Sequence, residues 1–106
     1  MSQRKSDTLK TYADLMEASG LLMEAALYGQ EETHPDVLTY DSREVKANTM
    51  FICKGAAFKE TYLVSAIEKG AVLYISERKY ETGKDVPFLL VSDIRKAMAI
   101  LANAFY

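Results

Sequence analysis

Apolar residues Leu9, Tyr12, Leu15 and Met16 recur at three- and four-residue spacing, which places them on one face of a helix. Asp7 or Thr8 is positioned to cap its start and Gly20 to stop it. The next apolar run, residues 21–28, has no such period, and Glu24 with Ala25 and Ala26 suits a helix as well as a strand. Residues 29–36 are polar, contain Pro35 and read as a loop. The polar residues 2–6 ahead of the first helix read as loose.

From Val37 onward short β-prone runs alternate with helical patterns. Strands are predicted over residues 37–40, 50–53, 71–75 and 88–91. The run Met50-Phe51-Ile52-Cys53 is wholly apolar, as expected of a strand covered on both faces. A helix beginning near Lys59 or Glu60 turns Tyr62, Leu63, Ala66 and Ile67 inward and stops at Gly70. Residues 77–86 read as a charged hairpin-like or irregular loop. The last helix is capped by Ser92 or Asp93 and repeats apolar residues at Ile94, Ala97, Met98, Leu101 and Phe105. This order predicts an α/β fold, a three-layer sheet of four to five mostly parallel strands with helices on both faces. It is read as a single domain with a helix and polar loop over residues 1–36 and an α/β core over residues 37–106.

The chain has 106 residues, of which 49% are hydrophobic and 26% charged, the balance of one globular domain. No apolar run approaches the roughly 18 residues a membrane span needs. Thirteen Lys and Arg against 15 Asp and Glu give a formal charge of −2, so neither nucleic acid nor a membrane is expected as a partner. The lone cysteine, Cys53, has no disulfide partner, and residues 1–10 lack the apolar segment of a secretory signal. Both features point to the cytoplasm.

The chain carries no glycine-rich phosphate loop, no dinucleotide fingerprint, no His pair at helical spacing and no Cys-x-x-Cys, so no metal site and no catalytic residue are assigned. His34 reads as a solvated loop residue and Cys53 as a small core residue. In open α/β sheets ligands bind beyond the carboxyl ends of strands, which singles out residues 41–43 and 54–58. Asp41, Ser42 and Arg43 together can grip a phosphorylated or hydroxyl-rich ligand, or simply form a turn in which Arg43 pairs with Asp41. Lys54, Gly55 and Lys59 bracket a strand-to-helix turn that can receive an anion or be plainly solvated.

Taken in order, Tyr40-Asp41-Ser42-Arg43 with Val45, the strand Met50-Phe51-Ile52 with Lys54-Gly55, then Tyr62, Ala66, Gly70-Ala71, Val91, Asp93, Arg95, Ala97 and Phe105 resemble the N-terminal domain of a Mur ligase. The type it most resembles is MurE, UDP-N-acetylmuramoyl-tripeptide synthetase of peptidoglycan and cell-wall biosynthesis. Residues 54–59 are similar to those of low-GC Gram-positive bacteria. The resemblance covers residues 38–106.

It implies a three-domain ATP-dependent ligase that adds L-lysine or diaminopimelate to UDP-N-acetylmuramoyl-L-alanyl-D-glutamate, with this domain holding the UDP. The missing central and C-terminal domains are then its partners in the same enzyme, and ATP and Mg2+ are cofactors of the full-length enzyme with none in this chain. By the resemblance, Ser42 contacts the UDP-sugar, and Tyr40 with Ala56, Ala57 and Phe58 encloses the uridine. Ala56 and Ala57 stand where other members carry His or Gln, so only their backbone contacts carry over. Asp41, Arg43, Lys54, Gly55 and Lys59 are supporting candidates, Lys54 and Lys59 from charge alone. A MurF-type ligase domain, or a free-standing nucleotide- or protein-binding module, is the alternative.

Overall fold

The computed structural model describes residues 7–106, so the reading of residues 2–6 as loose lies outside the described residues. The elements run α1 (Leu9–Ala18), β1 (Leu22–Ala26), β2 (Val37–Thr39), a 3-10 turn (Ser42–Glu44), β3 (Thr49–Ile52), α2 (Glu60–Lys69), β4 (Ala71–Ser76), β5 (Phe88–Val91) and α3 (Ile94–Phe105). The strands form one sheet of five in the order β1-β5-β4-β3-β2. β2, β3, β4 and β5 run parallel, and β1 is antiparallel to β5. With helices on both faces, this is the expected three-layer α/β arrangement.

Alternation along the strands divides the core. Met50 and Ile52 of β3, Leu73 and Ile75 of β4, and Leu89 and Val91 of β5 point to one face, where Leu9 and Met16 of α1 and Ala97 and Leu101 of α3 cover them. Phe51, Cys53, Tyr74 and Phe88 point to the other face, under Leu63 and Ala66 of α2. Each fully buried leucine or isoleucine contributes about 1.5–3 kcal/mol relative to exposure, so the two-sided layering carries the fold. The Thr8 hydroxyl caps α1 by accepting from Thr11 N at 3.2 Å, and the Asp93 carboxylate caps α3 by accepting from Lys96 N at 3.1 Å.

Gly70 ends α2 at φ +122° and packs against the chain entering β3: a Cβ there would lie 2.6 Å from Ala47 Cα. Its carbonyl accepts from Asn48 N at 2.9 Å and Thr49 N at 3.3 Å. Asn48 holds a left-handed conformation, φ 64°, and its side chain donates to Asp36 Oδ2 at 2.8 Å. The turn read before the second predicted strand is thus pinned from two sides.

Three readings change. The undecided run at residues 21–28 contains the edge strand β1, whose central residues Met23, Glu24 and Ala25 are exposed. Residues 77–86 cannot make a hairpin, because β4 and β5 are parallel; they form an irregular crossover. Tyr62, read as inward-facing, is 40% exposed, because the first turn of α2 overhangs the end of the sheet. No helix among the described residues is long and apolar enough to cross a membrane.

Candidate functional site

The carboxyl ends of β2 and β3 open onto a cleft of about 530 Å3. Two loops make its walls. One leaves β2 at Tyr40 and enters the 3-10 turn. Thr39 Oγ1 accepts from Asp41 N at 3.1 Å, and Asp41 then caps the turn by accepting from Arg43 N at 2.9 Å. Asp and Thr are suited to this work because their short side chains reach their own backbone. The other loop leaves β3 at Lys54 and turns at Gly55, whose φ of +111° disfavours any side chain. Phe58 N closes that turn on Gly55 O at 3.1 Å.

The structure brings Tyr40, Asp41, Ser42, Arg43, Lys54 and Gly55 to this cleft, together with Ala57 and Phe58. Ala56 faces a neighbouring cleft, and Lys59 lines neither, standing exposed at the N-cap of α2. Asp41 and Arg43 are engaged with each other. Arg43 Nε donates to Asp41 Oδ1 at 3.0 Å and Nη2 to Oδ2 at 2.8 Å. The bonded guanidinium lowers the Asp41 carboxyl to about 2, and the carboxylate in turn raises Arg43.

Ser42 differs from its neighbours. Its carbonyl accepts from Lys69 Nζ of α2 at 3.0 Å, while its hydroxyl bonds no described residue. Lys54 lays its ammonium over the Tyr40 ring, 4.8 Å from the centroid, so the cleft contains a cation that is held without being neutralised.

Phe58 is the aromatic hub. Its ring lies 6.4 Å from Phe51, 6.0 Å from Tyr62 and 5.7 Å from Tyr80, the last two edge-on. Phe51 and Tyr62 also line the cleft, and the sequence reading missed both. Phe51 belongs to an all-buried strand, where nothing in the sequence separates a residue under a cleft from any other core residue. Tyr62 carried a signal: it falls in the first turn after the loop, where a helix residue can still reach the strand ends.

Neither residue left aside gains a chemical role. Cys53 is buried and its thiol is pushed far up by loss of solvent, so it stays protonated. His34 is exposed, its Nδ1 3.3 Å from Asp7 O. No group of three His, Cys, Asp or Glu side chains among the described residues is placed to hold a metal ion. The cleft thus offers a hydroxyl, a cation and an aromatic wall, a set suited to binding a flat ring that bears a polar or anionic substituent.

No protein-family model matches the chain. Curated relatives do. The chain is 41% identical over 101 residues, 95% of its length, to a UDP-N-acetylmuramyl-tripeptide synthetase of Lactobacillus acidophilus, and covers 19% of that protein. It is 49% identical over 85 residues, 80% of its length, to the synthetase of the same description in Ligilactobacillus salivarius, covering 16% of it. It is 40% identical over 103 residues, 92% of its length, to a UDP-N-acetylmuramoyl-L-alanyl-D-glutamate--L-lysine ligase of Streptococcus pneumoniae, covering 21% of it. The chain therefore spans about a fifth of the length of the curated relatives it matches. Among solved structures, MurF from Acinetobacter baumannii superposes with a TM-score of 0.69 at 20% identity, over 97% of this chain and 21% of that one, a likeness of fold. The chain resembles the Mur-ligase family.

Proposed function

We propose that this chain is the N-terminal domain of a MurE-type ligase, in which the segment of residues 1–36, carrying α1 and β1, and the core of residues 37–106 act as one unit. In this reading its cleft holds the uridine diphosphate part of UDP-N-acetylmuramoyl-L-alanyl-D-glutamate. The observation that carries the reading is the convergence of the residue 40–43 and 54–58 loops on one cleft beyond parallel strand ends, with the Ser42 hydroxyl bonded to no described residue. Relatives at 39–49% identity with MurE-type names support MurE over MurF, whose likeness lies in the fold.

Within the cleft the roles follow from the side chains. Tyr40 and Phe58 present ring faces and edges to a flat base, Ala57 leaves its backbone accessible, and Ser42 donates its hydroxyl to a ligand oxygen. The domain works by positioning: a nucleotide handle fixed here holds the distant peptide carboxyl in place for reaction elsewhere in the enzyme. That carboxyl is joined to L-lysine, the amino acid in the pneumococcal relative's name, or to diaminopimelate. The residues present do not fit ATP or Mg2+, since the sequence has no phosphate loop and the described residues no metal-ligating cluster. No step through either is derived for this chain. A nucleotide-linked substrate made inside the cell places the work in the cytoplasm.

The test is titration of isotopically labelled chain with UDP-N-acetylmuramoyl dipeptide, using AMP as comparison. Amide shifts are expected at residues 40–43 and 54–58. Ser42→Ala removes a hydrogen bond to a charged group, worth about 1.5–3 kcal/mol, and weakens binding about ten- to a hundredfold. Shifts scattered elsewhere, or an unchanged dissociation constant in Ser42→Ala, would overturn the reading.

A further inference from the structure

The peptide group joining Ser42 to Arg43 is held at both ends. Its oxygen, Ser42 O, accepts from Lys69 Nζ at 3.0 Å, and its N–H, that of Arg43, donates to Asp41 Oδ1 at 2.9 Å. The bonds that Thr39, Asp41, Arg43 and Glu44 make around this turn run within the loop itself. The bond from Lys69 does not. It comes from the last turn of α2, 27 residues away in sequence.

A planar peptide group can still flip by opposed rotations of the two dihedrals that flank it. Bonds at both its oxygen and its nitrogen block that flip. Ser42 lines the cleft and its hydroxyl bonds no described residue, so what the fixed plane sets is the direction of an open hydroxyl. Lysine suits the task because its ammonium carries three donors and no acceptor on a long stem. Lys69 forms no ion pair with a described residue, and it does not itself line the cleft. Its neighbour Gly70 holds the other end of the same segment, since the Gly70 carbonyl accepts from Asn48 N and Thr49 N. The chain between β2 and β3 is thus tied to the end of α2 at two points, with the buried Val45 between them in sequence.

We infer that Lys69 is a positioning residue, which holds the Ser42 carbonyl from α2 and so aims the Ser42 hydroxyl into the first cleft without touching the ligand. The inference rests on the proposed role of Ser42 in binding the nucleotide-linked substrate.

Lys69 is exposed, so its substitution leaves the core intact. Lys69→Met keeps the stem and removes the donor, and Lys69→Arg restores a donor. Each is made alone, Lys69→Met also in the Ser42→Ala background, and UDP-N-acetylmuramoyl dipeptide is titrated into labelled chain. Lys69→Met is expected to move the Ser42 carbonyl-carbon and Arg43 amide-nitrogen resonances of the free chain. It is expected to weaken binding about three- to tenfold, and Lys69→Arg to recover most of that loss. In the Ser42→Ala background Lys69→Met is expected to cost nothing further, because two groups acting through one hydroxyl do not add. A lysine that only favoured the helix dipole would lower the urea midpoint and leave binding unchanged. That result, an unmoved Ser42 carbonyl, or losses that multiply in the double variant would overturn the positioning role and leave the nucleotide reading standing. Ser42→Ala binding like the parent chain would overturn the nucleotide reading and the positioning role together.

Discussion

Arg43 and Asp41 face each other across a single residue: the guanidinium donates two hydrogen bonds to the carboxylate, 3.0 and 2.8 Å long, and the Arg43 amide donates a third to it. Ser42 is the residue between them. The pair therefore shapes the turn that presents the Ser42 hydroxyl, and neither partner is available to a ligand on the terms its charge alone suggests.

That pairing sets a pH dependence. Asp41 is lowered from 3.8 to about 2, so its stabilisation of the turn is fully present above about pH 4 and lost as pH falls through about 2. Arg43→Gln removes the main cause and is expected to move the Asp41 midpoint back toward 3.8, read from the side-chain carboxyl shift in NMR. An Asp41 midpoint that ignores the substitution would show that the pair does not form in solution.

Phe58 touches three aromatic rings but is only half-buried. Phe58→Ala is expected to destabilise the fold by about 1–2 kcal/mol, less than a fully buried phenylalanine would. Phe58→Leu, which keeps most of the apolar volume, is expected to recover stability in urea denaturation; under the proposed function it does not restore a ring for base stacking, and uridine titration then reads weakened binding.

Gly70→Ala is expected to be among the costliest single changes in the chain, at about 2 kcal/mol or more, because φ +122° is strained for any side chain and the new Cβ meets backbone rather than a movable side chain. Urea midpoints measure the loss, and amide shifts at residues 46–49 locate it. The companion substitution Gly83→Ala, with open space around the Cβ but φ +76°, separates the two causes: it suffers the backbone strain alone and is expected to lose less.

Cys53 is expected to resist thiol reagents at pH 8 in the native chain, since burial both hides the sulfur and disfavours the thiolate. Its labelling rate should rise with urea in step with unfolding. Rapid labelling without denaturant would mean that the β3 end opens locally.

How far the sequence disclosed all this varied along the chain, for physical reasons. The strands after Val37 were legible because β3, β4 and β5 are covered on both sides and so read as apolar runs between turn residues. β1 was not, since an edge strand with Met23 61% exposed has neither a continuous apolar run nor strict alternation. The two loops of the first cleft were legible from the rule about strand ends. Lys54 and Lys59 looked equivalent by charge, yet only Lys54 lines the cleft: it leaves the end of β3 directly, whereas Lys59 stands exposed at the N-cap of α2. Arg78 of the neighbouring cleft carried no signal at all: it lies in a charged crossover, and only the parallel pairing of β4 and β5 brings the α3 start beside it.

The antiparallel pairing of β1 with β5 also dictates a timetable. A ribosome delivers β1 before the other strands, yet β1 has its sheet partner in β5, the strand delivered after all others. Apart from β1, the spatial order is the order of synthesis, so β2, β3, β4 and β5 can join neighbour to neighbour as they emerge. Leu22 and Ala26 must wait for Val91 and Phe88, and the sheet closes by joining its earliest-made edge to its latest. That long-range closure is the slowest pairing the fold demands, and it makes β1 the edge through which a newborn chain is most open to misassembly.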